Sequence, residues 1–401
     1  MGGGTSKQQH FQRIEMSEKV YHSKSANHLS KKLSGDITVP KLDHFKDDFS
    51  SRKMSDNILN FNGVSSLWSQ KVFDTVNFPE VRTGQFYTHD SKHTISIIGC
   101  GVSKSQEFLN DIWILELSTL NWTKLNLIGD QITPRNGSRG AMINNYLYVF
   151  GGIDENKVFL NDLYCIDITT SESRRLETTG DIPSPRMQPF FASYNGHLYV
   201  WGGFGDGWPT SLHELDLNTM KWQAFPQQSF IGRLGTAYAQ VGELLYCYGS
   251  ADTGGIIILN MKNHTFEQDK TSGTEPSSGV IHSVMVHVDN YLFLVGGKAT
   301  NLYQYVYICD LRTHEWSILV IFPDNETTTI KDGYFNQATN LFMIPCIQSM
   351  SVVYYTEKRQ ILSFLGEPML EPPAIQIIDI SDQLAFLHLS SDMVELLNMT
   401  K

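Results

Sequence analysis

The sequence predicts an all-β, seven-bladed propeller, and three observations carry that expectation. An apolar run ending in small residues recurs at a near-constant interval. Two further strand-like elements recur in step with it. Helical periodicity is weak throughout, whereas Gly-Asp, Asn-Gly and Ser-Pro turn signals come at short intervals.

The first element is LYVFGG at 147–152, repeated as LYVWGG (198–203), LYCYGS (245–250) and LFLVGG (292–297), with ISIIGC (95–100) before them. Its first glycines, Gly99, Gly151, Gly202, Gly249 and Gly296, are 52, 51, 47 and 47 residues apart. A β-branched and aromatic run that stops at small residues is a buried strand entering a tight turn. The second element carries an acid or Asn near its end: IWILEL (112–117), LYCIDI (163–168), LHELDL (212–217), IIILNM (256–261) and VYICDL (306–311). The third is marked by Trp122, Trp222, Phe266 and Trp316, and SRRL (173–176) is a copy without the aromatic. A further apolar stretch, such as GAMINN (140–145) or FFASYN (190–195), precedes each first element and brings the unit to four strands.

Four-stranded units of about fifty residues bury their faces against one another and lose their open edges when they close into a ring. The double glycine after an apolar strand, the Trp about twenty residues on and the period near fifty resemble the kelch-repeat family. Repeats two and three match best, with Pro134-Arg135 and Pro185-Arg186 before their first strands. The resemblance spans roughly 64–400 and implies a propeller that displays loops to a partner.

Degenerate copies continue the count. LFMIPC (341–346) and LAFLHL (384–389) extend the first element, SVVYYTE (351–357) and VELLNM (394–399) the second, and LSFL (362–365) the third. Upstream, SLWSQKVF (66–73) has no glycine strand before it, yet Trp68 lies 54 residues ahead of Trp122, one repeat away. Each element then occurs seven times. The expected last blade takes three strands from about 373–400 and its fourth from around Trp68, a 3+1 closure. Six blades, with 374–401 as a helical or disordered tail, is the alternative.

Composition narrows the function. A net charge of −11 argues against general nucleic-acid binding, which needs a basic surface. The five cysteines are widely spaced and form no CxxC, which fits free thiols in a reducing compartment such as the cytoplasm. No apolar run is long enough to span a bilayer, and the N-terminus has no apolar signal core.

The propeller is expected over 64–401, after a disordered polar tail over 1–60. That tail begins Met1-Gly2-Gly3-Gly4-Thr5-Ser6, which fits the N-myristoylation pattern with Gly2 as acyl acceptor. Residues 1–33 carry six Lys/Arg against two Glu, a basic complement to anionic lipid. The expectation is peripheral attachment to the cytoplasmic face of a membrane; a flexible tail with an incidental glycine run is the competing reading.

No phosphate loop, HExxH, GxSxG or zinc spacing occurs, and no catalytic residue, cofactor or metal site is assigned. Arg82, Arg135, Arg186 and Arg233 each precede an innermost strand and are expected to converge on one rim of the central channel. Later repeats carry Ser278, Gly333 and Pro373 instead. The Gly-rich loop GGFGDGWPTS (202–211) adds Phe204 and Trp208. Arginines with aromatics make binding hot spots, so the sequence reads as a non-enzymatic interaction scaffold for a protein or peptide, with an acidic or phosphorylated ligand suiting four arginines. At each single arginine a structural role, bonding the neighbouring turns, competes with that reading. The family resemblance also admits a propeller enzyme, a copper-radical sugar oxidase or a sugar-acid epimerase.

Overall fold

The computed structural model describes residues 66–74, 78–90, 94–226, 233–250, 254–277, 279–298, 302–339 and 341–380. Among them every regular element is a β-strand. All blades belong to one compact body, Met54–Asn336 with Leu341–Lys401.

Six four-stranded blades follow in chain order, each running from its innermost strand outward. Blade 1 is Phe86–His89, Ile95–Gly99, Ile112–Glu116 and Asn121–Leu125. Blade 2 is Arg139–Ile143, Tyr146–Ile153, Phe159–Asp167 and Glu172–Arg175. Blade 3 is Phe190–Tyr194, His197–Trp201, Leu212–Asp216 and Lys221–Phe225. Blade 4 is Ala237–Val241, Leu244–Tyr248, Ile256–Asn260 and Thr265–Asp269. Blade 5 is Ser283–Val288, Tyr291–Gly296, Tyr307–Asp310 and Glu315–Ile318. Blade 6 is Ser351–Tyr355, Gln360–Phe364, Ala374–Asp379 and, from far upstream, Ser66–Val72.

Strands with two buried faces explain the unbroken apolar runs of the sequence. In Tyr146–Ile153, Leu147 and Val149 pack against blade 1, while Tyr148 and Phe150 pack against blade 3. The same alternation builds six inter-blade cores in a closed succession. Propeller wedges widen outward, and the outermost aromatics fill them. Trp68, Trp122, Trp222 and Trp316 each face the preceding blade. Register confirms the equivalence, since Leu115↔Trp122, Ile166↔Ser173, Leu215↔Trp222, Cys309↔Trp316 and Trp68↔Ile378 are matching pairs.

Edges are blunted by the chain leaving the previous blade. Thr179–Gly180 runs parallel to the outer strand of blade 3, and Ile128–Gly129, Ser272–Gly273 and Ile321–Pro323 do the same on blades 2, 5 and 6. Gly180 sits at φ +82°, and a Cβ there would stand 2.3 Å from the Trp222 carbonyl oxygen. A glycine is therefore required where the clip crosses the strand.

Among the described residues the ring is made of six four-stranded blades, against the seven of the sequence count. The turn after each second strand bonds to the next blade. Gly101 N–H donates to the Arg135 carbonyl (2.7 Å), Gly203 to Arg233 (3.1 Å), Ser250 to Val280 (2.8 Å), Gly297 to Ile347 (3.0 Å) and Gly366 back to Arg82 (3.0 Å). The remaining step is the approach of Gly151 to the Arg186 carbonyl. Closure by an N-terminal strand is as expected, but its partner is Ala374–Asp379, over six residue pairs. Ser351–Tyr355 is an innermost strand, not a third one, and Leu362 lies on a second strand, not an outermost one. Among the described residues Leu341–Pro345 pairs with no blade; with Tyr334–Asn336 and Tyr303–Gln304 it forms a small sheet. The expected strands at 384–389 and 394–399, and the expected tail at 1–60, lie outside the described residues.

Candidate functional site

Three of the four arginines expected at the rim are buried. Arg82 and Arg135 are 0% exposed and Arg186 1%. The Arg82 guanidinium is forked onto Asp111, with Nη2 to Oδ2 at 2.9 Å, and also donates to the Glu80 and Cys100 carbonyls. Arg135 repeats this on Asp162 at 2.6 and 2.8 Å, and on the Thr133 and Gly151 carbonyls. Arg233 shares the last bond of the pattern, to the Gly249 carbonyl at 3.4 Å, and is part-exposed. These side chains staple each innermost strand to the turn of its own blade. The expected partner-binding role of Arg82, Arg135 and Arg186 is corrected accordingly: all three guanidiniums are buried and bonded to backbone carbonyls, Arg82 and Arg135 to a carboxylate as well, so none is open to a ligand. The equivalent residues in blades 5 and 6 are Val280 and Ile347, not the expected Ser278, Gly333 or Pro373.

Blade 3 departs from the pattern. Ser211 stands where blades 1 and 2 have Asp111 and Asp162, so Arg186 meets the Ser184 and Gly202 carbonyls and the Ser184 hydroxyl. Burial without a carboxylate pushes its pKa down to about 10. Ser211→Asp should supply the missing partner and stabilise the fold by about 1–2 kcal/mol. Urea denaturation checks this, with Ser211→Asn, which carries no charge, expected to gain nothing.

Two residues after each arginine position comes a ring of left-handed residues at the channel mouth: Gly84, Gly137, Gln188, Gly235, His282 and Ser349, with φ between 47° and 68°. Gly137 N–H donates to the Gly84 carbonyl at 2.8 Å, Gln188 to Gly137 at 2.6 Å, His282 to Gly235 at 2.6 Å and Ser349 to His282 at 2.8 Å. Gln85 Nε2 reaches the Ser349 carbonyl at 3.1 Å and links the sixth blade to the first. At Gly84, φ +67°, a Cβ would stand 1.8 Å from Asn136 Oδ1, so a side chain there would be strained and would have to displace the Asn136 amide. With the backbone bonded to itself, side chains define the mouth. A polar cavity of about 200 Å³ opens there, lined among others by Gln188, His282, Lys298, Gln348 and Glu367. That is below the ~300–1,000 Å³ of drug-sized pockets and suits a single side chain or similar small polar group.

Beside the mouth, Phe204 and Trp208 occupy the loop expected from the sequence. Phe204 pairs with Met187, next to ring residue Gln188. Its ring is 5.7 Å from Phe159 of blade 2 and 4.9 Å from Trp208. Trp208 is 50% exposed and Val158, next to Phe159, 54%. On the same side of blade 5, Leu302 is 81% exposed and Tyr303 stacks on Tyr334 at 5.9 Å.

The profile of the KLHDC2/KLHL20/DRC7 Kelch-repeats domain matches residues 47–250, half of the chain. The chain belongs to the kelch-repeat family. It is 24% identical over 257 residues to Kelch domain-containing protein 10 of Xenopus tropicalis, covering 59% of this kelch chain and 61% of that protein. Acyl-CoA-binding domain-containing protein 5 of Arabidopsis thaliana is 29% identical over 163 residues, or 37% of this chain and 24% of that protein. Human Host cell factor 1 is 27% identical over 205 residues, or 46% of this chain and 10% of that protein. The kelch chain thus spans less than two thirds of the curated relatives it matches. Among solved structures, "Structure of YjhT" superposes with a TM-score of 0.54 at 15% identity, over 76% of this chain and 95% of that one, a likeness of fold.

The kelch propeller buries four of its five cysteines and leaves Cys346 half-buried. Cys100, Cys165, Cys247 and Cys309 are buried, and burial pushes the Cys100 thiol up to about 11 and that of Cys309 to about 12. The oxidase alternative would need paired Tyr and His with a Cys at the axis, and the residues that line the mouth do not include that set. Among the described residues no three His, Cys, Asp or Glu side chains are grouped to hold a metal ion.

Proposed function

We propose that this protein is a non-catalytic kelch interaction scaffold that holds a protein partner on the face bearing the channel mouth and the Phe159–Phe204–Trp208 rings. The observation that carries the reading is the half-exposed Trp208, held at the end of a ring ladder that joins the loops of two rigid blades. Rigid aromatic anchors beside a small polar cavity are the anatomy of a hot spot. Thiols kept protonated by burial favour display over covalent chemistry.

Partner capture from native cells with the full chain tests the proposal. Trp208→Ala should weaken capture about tenfold or more, as loss of a hot-spot aromatic does, while the melting curve stays unchanged because the side chain is half in solvent. Partners retained in full by this variant would overturn the docking face. Turnover in a sugar oxidase or epimerase assay would overturn the non-catalytic reading.

The reading extends to the N-terminus, which lies outside the described residues. Gly2 would carry a myristoyl group, and the basic stretch 1–33 would supply the second signal that a single acyl chain needs at a cytoplasmic membrane face. An unmodified Gly2 in the N-terminal peptide from native cells, read by mass spectrometry, would remove this part alone.

A further inference from the structure

We infer that the segment docked on the Phe204–Trp208 face is basic, an apolar or aromatic anchor flanked by Arg or Lys, and not the acidic or phosphorylated segment that the arginine count implied. The inference rests on the docking face proposed above and adds its charge.

Charge on this face is set by what remains after the arginines are enclosed. Arg82 and Arg135 are neutralised by Asp111 and Asp162, and Arg186 is covered by carbonyls. The two loops that carry the rings, 152–161 and 202–211, hold Asp154, Glu155 and Asp206 against a single cation, Lys157. Glu155 and Asp206 are exposed, and neither is ion-paired among the described residues. Asp154 uses one oxygen to cap the Val158 N–H at 2.8 Å, which fixes its carboxylate beside the exposed Val158. Three carboxylates thus lie on the two loops that carry the apolar ladder, and the chain as a whole is at −11.

An acidic or phosphorylated ligand would meet like charge here, and the one buried guanidinium without a carboxylate, Arg186, lies too deep among carbonyls to pair with it. A basic segment gains on every count. Its cations approach down the field of an acidic protein, which speeds encounter. An Arg can lie on the open face of Trp208, where cation–π attraction adds to apolar contact. Asp206, two residues earlier, is in reach of the same guanidinium. A second copy of the chain would bring its own acidic face, so self-association across this surface is disfavoured.

The test uses full-length protein and fluorescein-labelled peptides built around one Leu and one Phe, identical except that the flanking positions are Arg, Glu or phosphoserine. The Arg peptide should bind about tenfold or more tightly than the other two at low salt, and the margin should shrink as salt screens the charges. Glu155→Lys with Asp206→Lys, both on exposed side chains, should invert the order. Trp208→Ala should weaken the Arg peptide without inverting it. Preference for Glu or phosphoserine, equal binding, no binding, or an order unchanged by the double charge reversal would each overturn the basic partner. The docking face itself fails separately, by undiminished capture of native partners with Trp208→Ala.

Discussion

Asp111→Ala should destabilise the propeller by about 3 kcal/mol, because it strands a fully buried guanidinium. Arg82 is 0% exposed, and its fork onto Asp111 is its only ion pair among the described residues. The same carboxylate accepts from Trp113 Nε1 at 2.7 Å, so two donors lose their partner together. Loss of a partner in a site 16% open on the carboxylate side is slightly relieved by water, which keeps the cost at the lower end of ~3–5 kcal/mol for broken buried pairs. Equilibrium denaturation in urea reads the effect, and Asp111→Asn, which preserves shape and one acceptor, should lose less. Acid should mimic the mutation. Burial pushes the Asp111 carboxyl up, but the Arg82 hydrogen bonds and charge, with the Trp113 N–H, outweigh it and hold the group below the usual carboxylate range. A folded pKa below the unfolded one gives stability that is present above about pH 4 and drains away as pH falls through the folded value. Wild type should therefore lose stability over that acidic window, and Asp111→Ala should lose less of what remains. A variant that melts like wild type would show that Arg82 is sheltered by its carbonyl partners alone.

Trp68→Ala should cost about 4 kcal/mol, as removal of a buried aromatic does, and should open the ring at one place. Trp68 is 2% exposed, packs 6.1 Å from Phe342 and donates to Gln376 Oε1 at 2.8 Å. Trp222→Ala removes the equivalent aromatic from blade 3, whose four strands are contiguous in sequence, and serves as the control. Hydrogen exchange should separate the two. Trp68→Ala should expose the amides of Ala374–Asp379 well below the melting temperature, whereas Trp222→Ala should leave them protected. Equal protection in both variants would mean that the other contacts of Ser66–Val72 suffice for closure.

The first half of the ring was legible because its signals are local. Double glycines, the acid near the end of the third strand and the Trp in the fourth each mark one strand type, and their registers agree in the structure. The second half was not, because its strands lost those marks while keeping their apolarity. Ser351–Tyr355 is buried along its whole length, as an innermost, second or third strand of a blade would be. A usable signal was present in ILSFLG (361–366). Leu365 and Gly366 adopt φ of 62° and 96°, as Gly151 and Gly152 do at 64° and 108°. That turn comes 69 residues after Gly297, and the excess over a normal repeat is taken up by the extra hairpin around Leu341–Pro345. The arginines show a different limit. Their spacing identified equivalent positions, but a sequence states a charge and not its depth. Asn110-Asp111 and Asn161-Asp162, whose Asp lie 29 and 27 residues downstream of their arginines, were the sign that these charges were already answered within each blade, and Ser211 the sign that blade 3 differs.

Trp68 and Gln376 meet across 308 residues. On a ribosome that separation becomes a delay. At ~5–20 residues per second the closing strand emerges roughly 15–60 s before its partner is made. Until then Ser66–Val72 is an unpaired edge attached to a growing stack of finished blades, and the last finished blade offers a second open face. The nascent chain thus carries two sticky surfaces for tens of seconds, and a neighbouring nascent chain can offer the same strand. Production should favour slow initiation and sparse polysomes, with domain-swapped oligomers as the characteristic by-product when synthesis is crowded.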